Sequence, residues 1–130
     1  MTHRIRLRVY YEDTDLAGIV YYANYLRFIE RGRSDWLREL GLDQRALKED
    51  QGIVFAVRRI EADYLAPARF EDVLDVTTAL SEARPARLVL TQEVLRDGLA
   101  LFRATVTIVC LGAAGRPVRL PADLRRVLAP

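Results

Sequence analysis

The sequence holds one cysteine, one histidine and one lysine among its 130 residues, and these scarcities exclude several classes of site. Cys110 has no second cysteine with which to form an internal disulfide. Cys110 and His3 together cannot supply the ligands of a His/Cys zinc site, so we expect no metal. A Ser-His-Asp or Cys-His catalytic group would have to use His3, which lies beside the chain start where order is usually lowest. We therefore expect any chemistry here to work without an imidazole.

Long apolar runs and a strong charge of one sign are also missing. No stretch approaches the roughly 20 apolar residues of a membrane-spanning helix, and Met1–Arg6 is too charged for a signal peptide. The formal net charge of +2 provides no broad basic surface, so we expect no nucleic-acid partner. With 51% hydrophobic residues, the chain is typical of one globular domain spanning 1–130, and we expect it in the reducing cytoplasm.

Hydrophobic spacing predicts a strand and two helices in the first part of the chain. Arg4–Tyr10 alternates charged and apolar residues, which indicates a half-buried strand. From about position 22 to position 40 the apolar residues recur every three or four places, which predicts a helix of about 18 residues that ends at Gly41. Gly32 in the middle of this helix predicts the close approach of another backbone. Gln44–Glu49 favours a second, short helix.

The second part of the chain is typical of an antiparallel sheet. Asp97-Gly98 is a strong signal for a tight turn between two strands, and Pro121–Leu128 favours a final helical turn. The predicted strands are Ile53–Leu65, Val73–Leu80, Leu88–Leu95 and Leu99–Leu111. This order predicts an α+β domain of two layers, in which the one long helix covers one face of the sheet. Because the other face would also need cover, we expect the protein to self-associate.

The densest polar stretch lies just before the long helix, over Asp13–Asn24. Free N–H groups at a helix N-terminus present partial positive charge and can hold the oxygen of a polarised carbonyl. A carboxylate from Asp13 or Asp15 alongside can act as general base or nucleophile, and Gly18 lets the backbone bend between the two. The simpler alternative is that the acids cap the helix and the glycine makes a turn. No third acid follows at the spacing of a calcium loop, which again argues against a metal.

Motifs along nearly the whole chain are similar to those of a known family. They include Val9–Asp15, Gly18–Tyr21, Asn24–Leu26, Glu30–Arg33, Val54–Arg58, Tyr64–Arg69 and Leu88–Gln92. Together they resemble the hotdog-fold acyl-CoA thioesterases of the hydroxybenzoyl-CoA thioesterase branch, and most of all its Tol–Pal-associated (YbgC-type) members. The resemblance implies an antiparallel sheet wrapped around one long central helix. It also implies hydrolysis of an acyl-CoA thioester to free acid and CoA, without a cofactor, by a homodimer or homotetramer with active sites at the dimer interface.

The resemblance also assigns roles to residues of the loop. Asp15 is implied as the catalytic carboxylate, acting as nucleophile or as general base for water. The backbone N–H of Tyr22 is implied as the oxyanion donor, at a position where YbgC-type proteins usually have histidine. Asp13 is expected to shape the loop. The residues expected to bind substrate are Gly18, Val20, Tyr21 and Tyr25, with Arg84 and Arg87 towards the CoA phosphates. The tyrosines could line an acyl pocket or pack the helix start.

The remaining candidates favour structural roles. Glu30 and Arg33 are expected to form an ion pair on the helix, and Cys110 and Trp36 are expected to lie in the core.

Two other functions stay open at this level. Hydratases and dehydratases of the same fold generally use histidine, and His3 is poorly placed for that role. A non-catalytic or weakly active module that binds acyl-CoA or acyl carrier protein, linked to envelope or phospholipid metabolism, is the main alternative. Turnover that depends on Asp15 would separate it from the thioesterase.

Overall fold

A computed structural model describes residues 2–128, so residues 1, 129 and 130 of the predicted domain lie outside the described range. The described chain forms β1 (Thr2–Arg8), α1 (Asn24–Glu39), α2 (Gln44–Gln51), β2 (Val54–Tyr64), β3 (Val73–Arg84), β4 (Arg87–Arg96), β5 (Leu99–Leu111) and α3 (Ala122–Leu128). Two single 3-10 turns follow β1 and β5. The strands form one antiparallel sheet in the order β1-β3-β4-β5-β2. The predicted α+β class is confirmed.

Helix α1 packs on one face of the sheet, where its apolar stripe lies against β1, β3 and β4. Phe28 and Ile29 are fully buried there against strand residues such as Val76 and Leu90. Each side chain of this size contributes roughly 1.5–3 kcal/mol when buried. The predicted core positions of Trp36 and Cys110 are confirmed, and the core cluster extends to Leu120, Leu124 and Leu128 near the end of the chain.

Gly32 of α1 lies close to the sheet, and its nearest neighbours there are side chains. A Cβ at this position would stand 3.0 Å from Val76 Cγ1 and 3.2 Å from Thr78 Oγ1. The expectation of a close backbone is therefore wrong. The glycine is needed because β3 places two side chains directly beneath it.

Arg33 does not form the predicted ion pair with Glu30. Its side chain turns towards the sheet, where it is buried and donates to Gln92 Oε1 at 3.0 Å, whereas Glu30 is exposed to solvent. Gln92 Nε2 in turn donates to the Ile29 carbonyl at 2.9 Å and to Thr78 Oγ1 at 2.8 Å. Burial lowers the pKa of Arg33 from its ordinary value. The prediction failed because helical spacing alone did not show that Arg33 points inward.

The outer face of the sheet carries charged side chains that pair across neighbouring strands. Arg4 and Arg6 of β1 pair with Asp75 of β3 at 3.1 and 3.2 Å, and Arg103 of β5 pairs with Glu93 of β4 at 2.9 Å. This charged part of the face does not need the cover that we expected, and self-association stays a prediction.

Strand β2 supplies a different reason for self-association. It is an edge of the sheet, it has 11 residues, and within residues 2–128 only β5 pairs with it. The apolar side chains of Val54 and Val57 are 37% and 44% exposed. Long edges with exposed apolar side chains are the parts of sheets that pair with other chains.

Several boundaries differ from the predicted ones. Strand β1 ends at Arg8, two residues early, and β3 runs four residues beyond Leu80, so that β3 and β4 meet in a tight hairpin. Helix α1 begins at Asn24, two residues later than expected. Residues 22 and 23 instead form a turn, closed by a hydrogen bond of 2.8 Å from the Asn24 N–H to the Tyr21 carbonyl. This turn brings backbone groups of the candidate site out of the helix.

Candidate active site

The loop between β1 and α1 folds back on itself through backbone hydrogen bonds. The Asp15 N–H donates to the Ile19 carbonyl at 3.0 Å, and the Gly18 N–H donates to the Asp15 carbonyl at 2.9 Å. Gly18 has a φ of +80°, a conformation that residues with a Cβ adopt only with strain. The Val20 N–H donates to the Ala68 carbonyl at 2.8 Å, which ties the loop to the segment before β3. The loop is therefore held in one shape from both sides.

Asp15 presents a carboxylate with one oxygen unused. Its Oδ1 accepts the Ala17 N–H at 2.9 Å, which holds the side chain in place within the loop. Its Oδ2 accepts no hydrogen bond from any of residues 2–128, and the side chain is exposed to solvent. A carboxylate fixed on one side and open on the other can attack a carbonyl carbon or accept a proton from water.

Asp13 holds the loop together, as expected. Its Oδ2 accepts the Tyr10 N–H at 2.8 Å. Its carbonyl oxygen accepts both the Tyr21 N–H and the Asn24 side-chain amide, each at 2.9 Å. All of these contacts are with other residues of the loop and with the first residue of α1. Asp13 therefore stabilises the loop, whereas Asp15 presents an oxygen to solvent.

The Tyr22 N–H donates to no acceptor among the residues that the structure describes, and neither does the Ala23 N–H. The carbonyls on either side of the Tyr22 residue are both occupied. The Tyr21 carbonyl accepts the Asn24 N–H, and the Tyr22 carbonyl accepts the Tyr64 hydroxyl at 2.9 Å. The backbone here is fixed while two successive donors remain available.

A cleft of about 400 Å³ lies between this loop, the start of α1 and the end of β2. Five of the predicted site residues line it, namely Asp15, Val20, Tyr21, Tyr22 and Tyr25. Ile19, Tyr64 and the segment 65–67 complete the lining. The structure therefore brings the proposed carboxylate and the proposed oxyanion donor to one cavity. Gly18 shapes the loop but does not line the cleft.

Aromatic rings form one wall of this cleft. Tyr25 is almost fully buried and stacks on Phe102, with ring centroids 5.0 Å apart and planes at 15°. Its hydroxyl accepts the Ala68 N–H at 2.9 Å. Burial is the main cause that raises the pKa of Tyr25, so the hydroxyl is protonated at neutral pH.

The predicted CoA contacts, Arg84 and Arg87, lie at a different place. They border a second cleft of about 770 Å³ at the hairpin between β3 and β4, with Arg58 of β2 and the apolar residues Val109 and Leu111. The two clefts share no lining residue. Arg58 at the second cleft and Tyr64 at the first lie six residues apart on β2. At about 3.3 Å per residue, this separates them by roughly 20 Å along the strand.

The three arginines of the second cleft are not equivalent. Arg84 forms an ion pair with Glu82, so its charge is already balanced. Arg58 and Arg87 have no carboxylate within 4.0 Å in the described part of the chain. Arg58 and Arg87 are therefore the better candidates for an anionic ligand.

Sequence reasoning missed Tyr64 and Arg58 as cleft residues. Tyr64 ends β2 opposite Phe102, and a register shift between Val57 and Arg59 marks a bulge at Arg58. Cross-strand partners and bulges depend on pairing with β5, which the sequence pattern of β2 does not show. The one feature of the sequence that could have indicated Tyr64 as a cleft residue is its place just before Leu65-Ala66-Pro67.

His3, Asp35 and Glu39 lie together between β1 and α1. Within residues 2–128 they are the one group of three His, Cys, Asp or Glu side chains whose donor atoms lie close enough to hold a metal. The His3 Nε2 lies 2.9 Å from Asp35 Oδ2, and its Nδ1 lies 2.5 Å from Glu39 Oε2. Because each ring nitrogen already contacts a carboxylate, the cluster acts as a polar link between β1 and α1.

Comparison with known proteins shows which family this chain belongs to. Residues 9–128 match the thioesterase-like superfamily. The chain is 40% identical over 120 residues to acyl-CoA thioesterase YbgC of Haemophilus influenzae, covering 92% of this chain and 88% of the relative. It is 41% identical over 120 residues to acyl-CoA thioester hydrolase YbgC of Escherichia coli, covering 91% and 89%.

Solved structures agree with this assignment. A probable thioesterase from Bartonella henselae superimposes with a TM-score of 0.89 at 37% identity, covering 93% of this chain and all of the other. An aspartate-to-asparagine mutant of 4-hydroxybenzoyl-CoA thioesterase, complexed with 4-hydroxybenzoyl-CoA, superimposes with a TM-score of 0.90 at 26% identity, covering 97% of each. None of the helices in residues 2–128 is long and apolar enough to cross a membrane. The chain has the hotdog fold and belongs to the thioesterase-like superfamily, within its YbgC group of acyl-CoA thioesterases.

Proposed function

We propose that this protein hydrolyses the thioester of an acyl-CoA to the free acid and CoA. The observation that carries the proposal is that Asp15 and Tyr22 border one cleft, each with a reactive group left free. Within residues 2–128, one Asp15 carboxylate oxygen and the Tyr22 N–H make no hydrogen bond. Thioester hydrolysis needs these two groups on either side of one carbonyl.

The thioester carbonyl oxygen would accept the Tyr22 N–H, close to the positive end of the α1 dipole. Negative charge that develops on this oxygen as the tetrahedral intermediate forms is stabilised there. Asp15 would either attack the carbonyl carbon, giving an acyl anhydride that water then cleaves, or remove a proton from an attacking water. In both routes the CoA thiolate leaves and takes up a proton. No metal or cofactor takes part in either route.

The arginine cleft is the proposed binding place for the CoA phosphates. Arg87, predicted from the sequence, and Arg58, found in the structure, supply unbalanced positive charge, whereas Arg84 is neutralised by Glu82. A guanidinium forms paired hydrogen bonds with phosphate oxygens. Because this cleft and the Asp15 cleft are separate in one chain, the pantetheine arm must bridge them.

Self-association through β2 is part of this proposal. The edge of β2 runs from the Asp15 cleft, at Tyr64, to the arginine cleft, at Arg58. Pairing of two β2 edges would bring the clefts of two chains together and cover the exposed apolar side chains of this strand. The expected species is a homodimer or a homotetramer, and its mass by light scattering would show it. A monomer would remove this part of the proposal.

The function is tested by thiol release from a panel of short, long and aromatic acyl-CoAs. Turnover of at least one class supports hydrolysis and identifies the acyl group. If no acyl-CoA is cleaved, the same panel presented on acyl carrier protein tests the other carrier. Inactivity towards both would favour the acyl-binding module linked to envelope or phospholipid metabolism. We expect the protein to act in the cytoplasm and, as the YbgC-type resemblance implies, to be associated with the Tol–Pal system.

A further inference from the structure

We propose that Tyr64 is a positioning residue for the oxyanion-binding backbone, acting through its hydrogen bond to the Tyr22 carbonyl. This inference rests on the proposed function, because the bonded carbonyl belongs to Tyr22, the residue whose N–H is the proposed oxyanion donor. Tyr64 would not react with the substrate. It would hold the backbone at Tyr22 and Ala23 in the orientation that receives the thioester oxygen.

The contact joins the edge of the sheet to the start of the long helix. Tyr64 is the last residue of β2, and its hydroxyl donates to the Tyr22 carbonyl at 2.9 Å. Its ring packs edge-on against Phe102 and Tyr25, with centroids 5.0 and 5.5 Å away. The ring is therefore held by neighbours that are themselves buried in the core. A hydroxyl on such a ring has a defined position even though half of the side chain is exposed.

The Tyr22 carbonyl belongs to the middle peptide of the turn that precedes α1. The hydrogen bond from Asn24 to Tyr21 closes this turn and fixes its first peptide. The middle peptide of a β-turn is the one that reverses its direction between turn types I and II. Ala23 has φ −71° and ψ −21°, as in a type I turn. The Tyr64 hydroxyl binds the carbonyl in this one orientation and so opposes the reversal.

Holding the middle peptide fixes two features of the donor site. The first is the rotation about the Cα–C bond of Tyr22, the residue whose N–H is the proposed oxyanion donor. The second is the direction of the Ala23 N–H, which belongs to the same peptide as the bonded carbonyl. A trans peptide points its N–H away from its carbonyl. The bond therefore turns the Ala23 N–H away from Tyr64.

The Tyr64 hydroxyl can serve only while it keeps its proton. Burial is the largest cause that raises the pKa of Tyr64, and the neighbouring Tyr22 and Tyr25 raise it further. Tyr64 is therefore a hydrogen-bond donor throughout the neutral and mildly alkaline range.

The test compares Tyr64→Phe with Tyr11→Phe, using the acyl-CoA that the parent turns over best. Tyr64→Phe removes one hydroxyl and keeps the ring that packs on Phe102. Tyr11 is a matched control because it is exposed and its hydroxyl makes no hydrogen bond within residues 2–128. We expect kcat of Tyr64→Phe to fall roughly tenfold, the effect of about 1.4 kcal/mol, with KM within twofold of the parent. Tyr11→Phe should match the parent in both constants.

Unchanged kcat would overturn the inference, and so would a raised KM with kcat preserved, which would make Tyr64 only a wall of the cleft. A second readout separates this inference from the proposed function. Amide exchange and 15N relaxation at Tyr22 and Ala23 should show greater motion in Tyr64→Phe than in the parent. If the parent cleaves no thioester, the proposed function fails, and the positioning role of Tyr64 is tested by these amides alone. Increased motion in Tyr64→Phe supports that role, and unchanged motion overturns it.

Discussion

The Tyr25 hydroxyl accepts the Ala68 N–H at 2.9 Å, while the Ala68 carbonyl accepts the Val20 N–H at 2.8 Å. One residue of the segment before β3 thus binds both the first turn of α1 and the end of the Asp15 loop. Ala68 is completely buried. This link sets the loop that carries the carboxylate against the helix start that carries the N–H donor.

Tyr25→Phe is expected to weaken this link. The substitution keeps the ring stacked on Phe102 but leaves the buried Ala68 N–H without an acceptor. An unsatisfied buried donor destabilises a protein by roughly 1–3 kcal/mol. Urea unfolding should show a loss in that range for Tyr25→Phe and less than about 0.5 kcal/mol for the exposed Tyr11→Phe. Equal stability of the two variants would mean that the hydroxyl contributes nothing.

Gly18→Ala is expected to reduce activity through backbone strain alone. Gly18 has a φ of +80°, and a Cβ there would meet no atom within 4 Å. An alanine in this conformation costs roughly 1–2 kcal/mol. Gly41→Ala is the matched control, because Gly41 has a φ of +89°, equally open surroundings and a place at the far end of α1. Both variants should lose similar stability on urea unfolding, but only Gly18→Ala should lose turnover beyond fivefold. Equal activities would show that the loop tolerates distortion.

Cys110 is expected to be inert in the folded protein. Burial raises the pKa of its thiol from 9.0 to about 11. Because only the thiolate is a nucleophile, Ellman's reagent at pH 8 should label Cys110 slowly in buffer and at once in denaturant. The raised pKa also means that this group stabilises the fold below about pH 9 and that the contribution is lost as pH rises towards 11. Rapid labelling of the native protein would contradict the burial of this thiol.

Arg87→Ala is expected to weaken binding of the CoA portion of the substrate. Hydrogen bonds to charged groups contribute roughly 1.5–3 kcal/mol, so KM should rise at least tenfold with little change in kcat. Arg45→Ala, an exposed arginine of α2, is the control. A thioester of the same acid with N-acetylcysteamine lacks the phosphates, and its KM should not respond to Arg87→Ala. If KM for both thioesters rises together, Arg87 acts on the fold rather than on CoA.

Much of the fold follows from local patterns, because alternation and helical spacing report which side of an element is buried. Strand β5 has the predicted bounds, Leu99–Leu111, since its apolar and polar residues alternate and Asp97-Gly98 fixes its start. The strands at the hairpin between β3 and β4 were predicted too short. Three of the four residues of Ser81–Arg84 are polar, and the strand structure of this segment comes from pairing with β4 rather than from its own sequence.

The candidate site was predictable only in part, because its contacts are made across the sheet. The acids of the loop could be read from their place before a helix. The inward turn of Arg33, the neighbours of Gly32 and the bond from Tyr64 to Tyr22 each depend on which strand lies opposite. The role of Asp15 itself stays a prediction until turnover is measured.

The most direct test of the account is thiol release by the parent and by Asp15→Asn across the acyl-CoA panel. The asparagine side chain keeps an oxygen for the Ala17 N–H, so the loop should hold its shape. Asp50→Asn makes the same chemical change on α2, where Asp50 has no hydrogen bond or ion pair within the described residues. We expect Asp50→Asn to match the parent and Asp15→Asn, folded and of the same oligomeric size, to lose at least ~100-fold in turnover. Equal turnover by Asp15→Asn and the parent would contradict the mechanism proposed here.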